Sequence, residues 1–110
     1  MSGARKTQDL TAHELRAGLA ASEILLIDVR EPDEFALERI PGAVNVPLST
    51  FSSDALPEAG GKRVVFHCAG GKRSASAVDR CGAAEPGPDA QLAGGIAAWK
   101  AAGLPTDRGV

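Results

Sequence analysis

Two apolar runs set the frame of this chain. "EILLIDV", residues 23–29, and "RVVFH", residues 63–67, carry consecutive apolar residues with no polar alternation. Such runs read as strands buried on both faces, as in parallel sheets. Elsewhere the apolar spacing is helical. "TAHE", Thr11 to Glu14, matches a capping box, and Leu15 and Leu19 then recur one turn apart. "EPDEFALERI" places Pro32 near a helix start with acids in the first turn, and Pro41-Gly42 is expected to end that helix. "AVNVP", 43–47, reads as a short strand closed by Pro47, and 49–61 as a loop with room for one helical turn. The small residues from Ser74 to about Ala84 predict a helix, 85–89 a loop, and "AQL" a short strand at most. "GIAAWKAAG" predicts a last helix, stopped by Gly103 with Pro105 just beyond.

Alternation of this kind predicts an α/β domain with a mainly parallel sheet and helices on both faces. Residues 1–6 read as a loose terminus and 7–110 as one domain. Ligands of such sheets sit off the carboxyl ends of the strands. Cys68 lies at one such end, and Asp28-Val29-Arg30 at another.

The stretch "VVFHCAGGKRSASA", 64–77, carries the candidate chemistry. Gly70 and Gly71 can take backbone angles other residues avoid. A strand turning into a helix through them points several N–H groups at one place, a nest for an anion, and the helix start adds its positive end. If the Cys68 sulfur enters that nest, the anion is its own thiolate. Helix ends and nearby cations lower a thiol's pKa by roughly one to several units. Lys72 and Arg73 supply the cations and would draw in a small anionic substrate. A single cysteine after a strand is by itself more often a small core residue. The combination of Cys, Gly-Gly, cations and helix shifts the balance toward an activated nucleophile.

Other chemistries fit less well. A phosphate-binding P-loop needs Gly where Phe66 stands and Ser or Thr where Arg73 stands. His67 adjoins Cys68 in a strand, so it points to the opposite face and is a poor base for it. His13 reads as a solvated helix residue. No Cys/His set has zinc-ligand spacing, and two cysteines make no disulfide framework. The formal net charge is −2, which argues against nucleic acid or another polyanion as partner. No apolar run approaches the ~18 residues of a membrane span, and the first 18 residues carry no signal-like segment. A cytoplasmic domain with reduced thiols is the expectation.

Three stretches together, "LIDVREPDEFALERIPGAVNVPLSTF", "VVFHCAGGKRSASA" and "LAGGIAAW…GLP", resemble the rhodanese-like sulfurtransferases in sequence and order. The resemblance runs from about Leu10 to Pro105. It implies a three-layer rhodanese-like domain, with a mostly parallel five-stranded sheet flanked by helices. It implies that Cys68 carries sulfur as a persulfide and that Ala69, Gly70, Gly71, Lys72 and Arg73 cradle it. The loop here is Cys-x4-Arg, whereas the dual-specificity phosphatases of this fold have Cys-x5-Arg. The shorter loop suits a sulfur atom and disfavours phosphatase or arsenate reductase chemistry. The implied reaction takes sulfur from an anionic donor, thiosulfate-like or a persulfide. The acceptor is a thiol, cyanide or a sulfur-carrier protein, and no metal or organic cofactor is implied. The other reading is a non-catalytic interaction module, whose usual sign is loss of the cysteine retained here.

Around that loop the expectations are these. Arg73 either attracts the donor or ties the loop down by pairing with a carboxylate. Asp28 and Arg30 either support the loop from a neighbouring strand end or form a structural salt bridge. The sequence departs from the family pattern at Cys81, Pro86 and Asp89, where apolar residues are usual. Cys81 is expected in the core, as is Trp99, packing the last helix on the sheet.

Overall fold

The structure is a computed structural model and describes residues 7–81 and 88–109. Five strands form one parallel sheet: β1 (Gln8–Leu10), β2 (Ile24–Asp28), β4 (Val44–Asn45), β5 (Arg63–His67) and β6 (Ala90–Leu92). Their order is β1-β6-β5-β2-β4, so β5 is central. In the β2/β5 register Leu26 lies beside Val65, Ile27 beside Phe66 and Asp28 beside His67.

Strand alternation divides the core between two faces. Ile24, Leu26 and Val65 join Leu10, Leu15, Leu92, Ile96 and Trp99, which packs α1 (Ala12–Ala20) and α4 (Gly95–Ala101) on one side. Ile27 and Phe66 join Val29, Ala77, Val78, Cys68 and Cys81, which packs α3 (Lys72–Arg80) on the other. Both faces are covered, which accounts for the unbroken apolar runs of β2 and β5. Trp99 is buried as expected, and its Nε1–H donates to the Pro105 carbonyl at 2.8 Å.

The capping box forms at α1: Thr11 Oγ1 accepts from the Glu14 N–H at 3.1 Å, and Glu14 Oε1 accepts from the Thr11 N–H at 2.8 Å. The loop over 49–61 holds two single 3₁₀ turns, Leu48–Thr50 and Ser53–Ala55. Gly103 follows α4 with φ of 77°, the left-handed stop.

Several expectations need correction. The second helix, α2 (Pro32–Leu37), does not run on to Pro41-Gly42. Glu38 turns extended at φ −162°, and Glu38–Arg39 becomes β3, antiparallel to β7 (Asp107–Arg108). The end of α4 and the chain after it drive this change. Lys100, Thr106 and Arg108 all donate to the Glu38 carboxylate, and Arg39 donates to the Gly109 carbonyl. These partners lie some 60 to 70 residues away, beyond any local pattern. Helix α3 starts at Lys72, two residues before Ser74, because Gly71 takes the capping place at φ 118°. The expected end of that helix at Ala84, the loose residues 1–6, Pro86 and most of the loop 85–89 lie outside the described residues. Strand β1 had no sequence signal, being three residues of a polar edge, and its register is set by β6.

Candidate active site

Cys68 follows the central strand and precedes α3 by three residues. Its sulfur accepts the Gly71 N–H at 3.0 Å and the Ser74 N–H at 3.4 Å, with the Ser74 hydroxyl 3.6 Å away. Gly71 caps the helix and Ser74 is its third residue, so these N–H groups are among the donors a helix start leaves unpaired. Burial pushes the Cys68 thiol up. The N–H groups of Ser74, Gly71 and Gly70 pull it down, and the thiol lies below its ordinary value.

The loop is held from behind by the turn before α4. The Ile96 N–H donates to the Cys68 carbonyl at 2.9 Å and the Ala97 N–H to the Ala69 carbonyl at 3.3 Å. This approach requires Gly95: a Cβ there would stand 2.3 Å from the Cys68 carbonyl oxygen, and φ is +61°. The sequence contained Gly94-Gly95 as a motif, but its backbone contact with the cysteine loop depends on tertiary packing.

The Arg73 guanidinium is paired with a carboxylate. Its Nη1 and Nη2 bind the two oxygens of Glu34 on α2 at 2.6 and 3.0 Å. This bidentate pair holds Glu34 at about 2, chiefly through the Arg73 hydrogen bond. The pairing with a carboxylate, one of the two arrangements expected of Arg73, is present, and Glu34 is the carboxylate that sequence reasoning did not name. Lys72 is exposed and makes no pair among the described residues. Ala69 is half-buried and Gly70 exposed, so the loop's open side lies there.

Asp28 and Arg30 form a buried salt bridge, with Arg30 Nη2 2.8 Å from Asp28 Oδ2 and Arg30 Nε 3.1 Å from both carboxylate oxygens. Arg30 also reaches the Glu38 carbonyl at 2.5 Å, and Asn45 Nδ2 donates to the carbonyls of both Asp28 and Arg30. The pair therefore fixes the end of β2 and the entry to α2, which carries Glu34. Toward the cysteine loop its neighbour is His67. That ring is fully buried, with Nδ1 3.2 Å from the Cys68 carbonyl and Nε2 3.4 Å from Asp28 but without a hydrogen bond. Burial pushes His67 below its ordinary value, against the pull of Asp28. Its contacts face away from the sulfur.

Cys81 is buried beside Val78 and Phe66 in the same apolar cluster as Cys68. Among the described residues, no three His, Cys, Asp or Glu side chains gather as a metal site, and no helix is long and apolar enough to cross a membrane.

Residues 11–102 match the rhodanese-like domain family. The chain belongs to that family. It is 43% identical over 83 residues to an uncharacterised protein of Synechocystis, covering 76% of this chain and 46% of that one. It is 33% identical over 98 residues to a sulfurtransferase of Allochromatium vinosum, covering 88% and 92%. The rhodanese-related protein of Thermoplasma volcanium superposes with a TM-score of 0.75 at 28% identity, over 91% of this chain and 97% of that one. The chain spans less than half the length of the first curated relatives it matches. The rhodanese fold expected from the sequence is thus the fold found, with a five-stranded sheet that is parallel throughout.

Proposed function

We propose that this domain is a sulfurtransferase that carries sulfur as a persulfide on Cys68. The observation that carries the reading is the sulfur held by two N–H groups at the start of α3. Similarity to the sulfurtransferase of Allochromatium vinosum along almost its whole length supports it. The Cys68 thiolate attacks the outer sulfur of an anionic donor, thiosulfate or a persulfide. A bond forms between Sγ and that sulfur, and the donor's own bond breaks. With thiosulfate, sulfite leaves with the bonding pair. The persulfide's outer sulfur then bears the negative charge, and the open side of the loop, Ala69 to Gly71, is where its N–H groups can meet it. A thiol, cyanide or a sulfur-carrier protein attacks the outer sulfur, and the bonding pair returns to Sγ. Two displacements on one nucleophile give ping-pong kinetics.

Within this scheme Lys72 is the exposed cation that attracts the donor. Arg73 keeps the loop in place through Glu34, and Asp28 and Arg30 hold the elements behind it. The test is a mass measurement after incubation with thiosulfate, polysulfide or a low-molecular-weight persulfide. One sulfur added to Cys68, absent in Cys68→Ala, is the expected result. No added sulfur from any of the three donors overturns the proposal.

A further inference from the structure

Ser74 has one hydroxyl proton and three acceptors around it. Gln91 Oε1 lies at 2.5 Å, the Gly71 carbonyl at 3.1 Å and Cys68 Sγ at 3.6 Å. A hydroxyl donates once and accepts with its lone pairs. The shortest contact assigns that proton to Gln91. The sulfur then meets a lone pair of Ser74, which suits an S–H and leaves a thiolate without that donor.

The Gln91 amide is itself fixed. Its Nε2 donates to Asp9 Oδ1 at 3.0 Å, and the reverse orientation would set the amide oxygen against the carboxylate. Gln91 sits on β6, in register with Phe66 of β5 on one side and Asp9 of β1 on the other. A line of hydrogen-bonding groups therefore runs from Cys68 through Ser74 and Gln91 to Asp9 at the sheet edge. Sequence reasoning had no reason to join these four, because only the β5-β6-β1 order brings them together.

We infer that Gln91 is a positioning residue that holds the Ser74 hydroxyl proton away from the Cys68 sulfur, with Asp9 fixing the amide that does so. While the sulfur keeps its proton, S–H donates to Ser74 and Ser74 to Gln91. When that proton leaves to solvent, the anion and Gln91 compete for the one hydroxyl proton. A bond to an anion is the stronger in kind, but the Gln91 contact is a short one, while the sulfur stands at the long end of its range even with its larger radius. The anion then keeps only its backbone donors. The consequence for catalysis rests on Cys68 as the reacting sulfur. A third donor on Sγ would stabilise the thiolate before its attack more than during it and slow the uptake of sulfur, since only stabilisation specific to the transition state speeds a step. The charged groups around the sulfur are Arg73 with Glu34, exposed Lys72, and the Asp28–Arg30 pair beyond His67. None of them is altered by a change at Gln91.

The test is the pH profile of Cys68 alkylation by iodoacetamide, assigned by peptide mass and independent of any sulfur donor. Gln91→Met keeps the chain length and removes the amide. It is expected to speed alkylation at a pH below the profile's midpoint by about tenfold, the effect of one hydrogen bond to an anion. Asp9→Ala frees the amide to turn and is expected to move the rate in the same direction, by less. In a Ser74→Ala background the Gln91→Met effect is expected to vanish, because the proton in question is gone. An unchanged or slower rate in Gln91→Met overturns the inference, and so does an acceleration that survives Ser74→Ala. If Gln91→Met fails to fold, Asp9→Ala at the exposed edge carries the test with the same criteria. A failure to load sulfur would leave these alkylation rates untouched, so the two proposals fall separately.

Discussion

Cys68 and Cys81 bracket the same helix, have the same 1% exposure and belong to the same apolar cluster. By residue type and burial they are indistinguishable. They differ in which end of α3 they occupy. Cys68 precedes its start, where unpaired N–H groups converge on the sulfur. Cys81 closes its end, where its own N–H bonds back to the carbonyls of Ala77 and Val78. The partial charge at a helix start is positive and at its end negative, so a thiolate is favoured at one and disfavoured at the other. What separates the two sulfurs is their position along a helix, not their depth in the core.

The sharpest way to break this contrast is to remove each sulfur in turn. Cys68→Ala is expected to abolish sulfur loading entirely. Cys81→Ala is expected to load as the parent does and to lose about 1 kcal/mol of stability from the small cavity, read by urea unfolding. Loss of loading in Cys81→Ala, with its fold intact, would refute the division of roles.

The next largest effect tests what shapes the reactive end. Gly95→Ala sets a Cβ against the backbone of Cys68 and Ala69 at an unfavourable φ. A cost of about 3 kcal/mol is expected. Gly70→Ala, whose added carbon meets nothing within 4 Å, is expected to cost under ~0.5 kcal/mol. Urea midpoints of the two variants give the comparison. Equal costs would mean that the contact with α4 does not define the loop.

How much of this was legible beforehand depended on range. The central strands announced themselves because burial on both faces leaves an unbroken apolar run. Cys68 and its glycines could be read because the nest is built within six residues. The brace at Arg73 was foreseen as one of two roles, but Glu34 lies 39 residues away on another element. The β3/β7 pair was missed because "ALERI" has helical spacing, and only the returning chain pulls Glu38 and Arg39 out of the helix. Gln91 stood in "AQL", read as a short strand at most, and Asp9 in a stretch with no strand signal. Their meaning arises from strand order alone.

A smaller effect separates the sulfur from its neighbour in the sheet. His67 is held below the ordinary imidazole value by burial. The unfolded chain therefore takes up a proton near pH ~6.5 while the folded one does not. Stability is complete above that pH and falls as the pH drops through it. Between pH ~7.5 and ~5.5 the loss is at most about 1.4 kcal/mol, the ceiling for one proton over the unit below that value. Urea midpoints across this range measure it, and His67→Gln is expected to flatten the slope. A slope unchanged by the substitution would assign it to other groups.

The smallest effect concerns the brace at the reactive end. The Arg73–Glu34 pair is about a third exposed on both sides, so Glu34→Gln is expected to cost less than ~1 kcal/mol. Its carboxyl is held down at about 2, first by the Arg73 hydrogen bond. For a depressed carboxylate the contribution is present above the ordinary value and is lost as the pH falls through about 2. The brace therefore stays intact at mildly acidic pH. Sulfur loading by the parent should then decline on acidification with the protonation of a single group. Glu34→Gln should load more slowly at every pH without moving the midpoint of that decline. A moved midpoint would mean that Glu34 acts on the sulfur itself and not on the position of the loop.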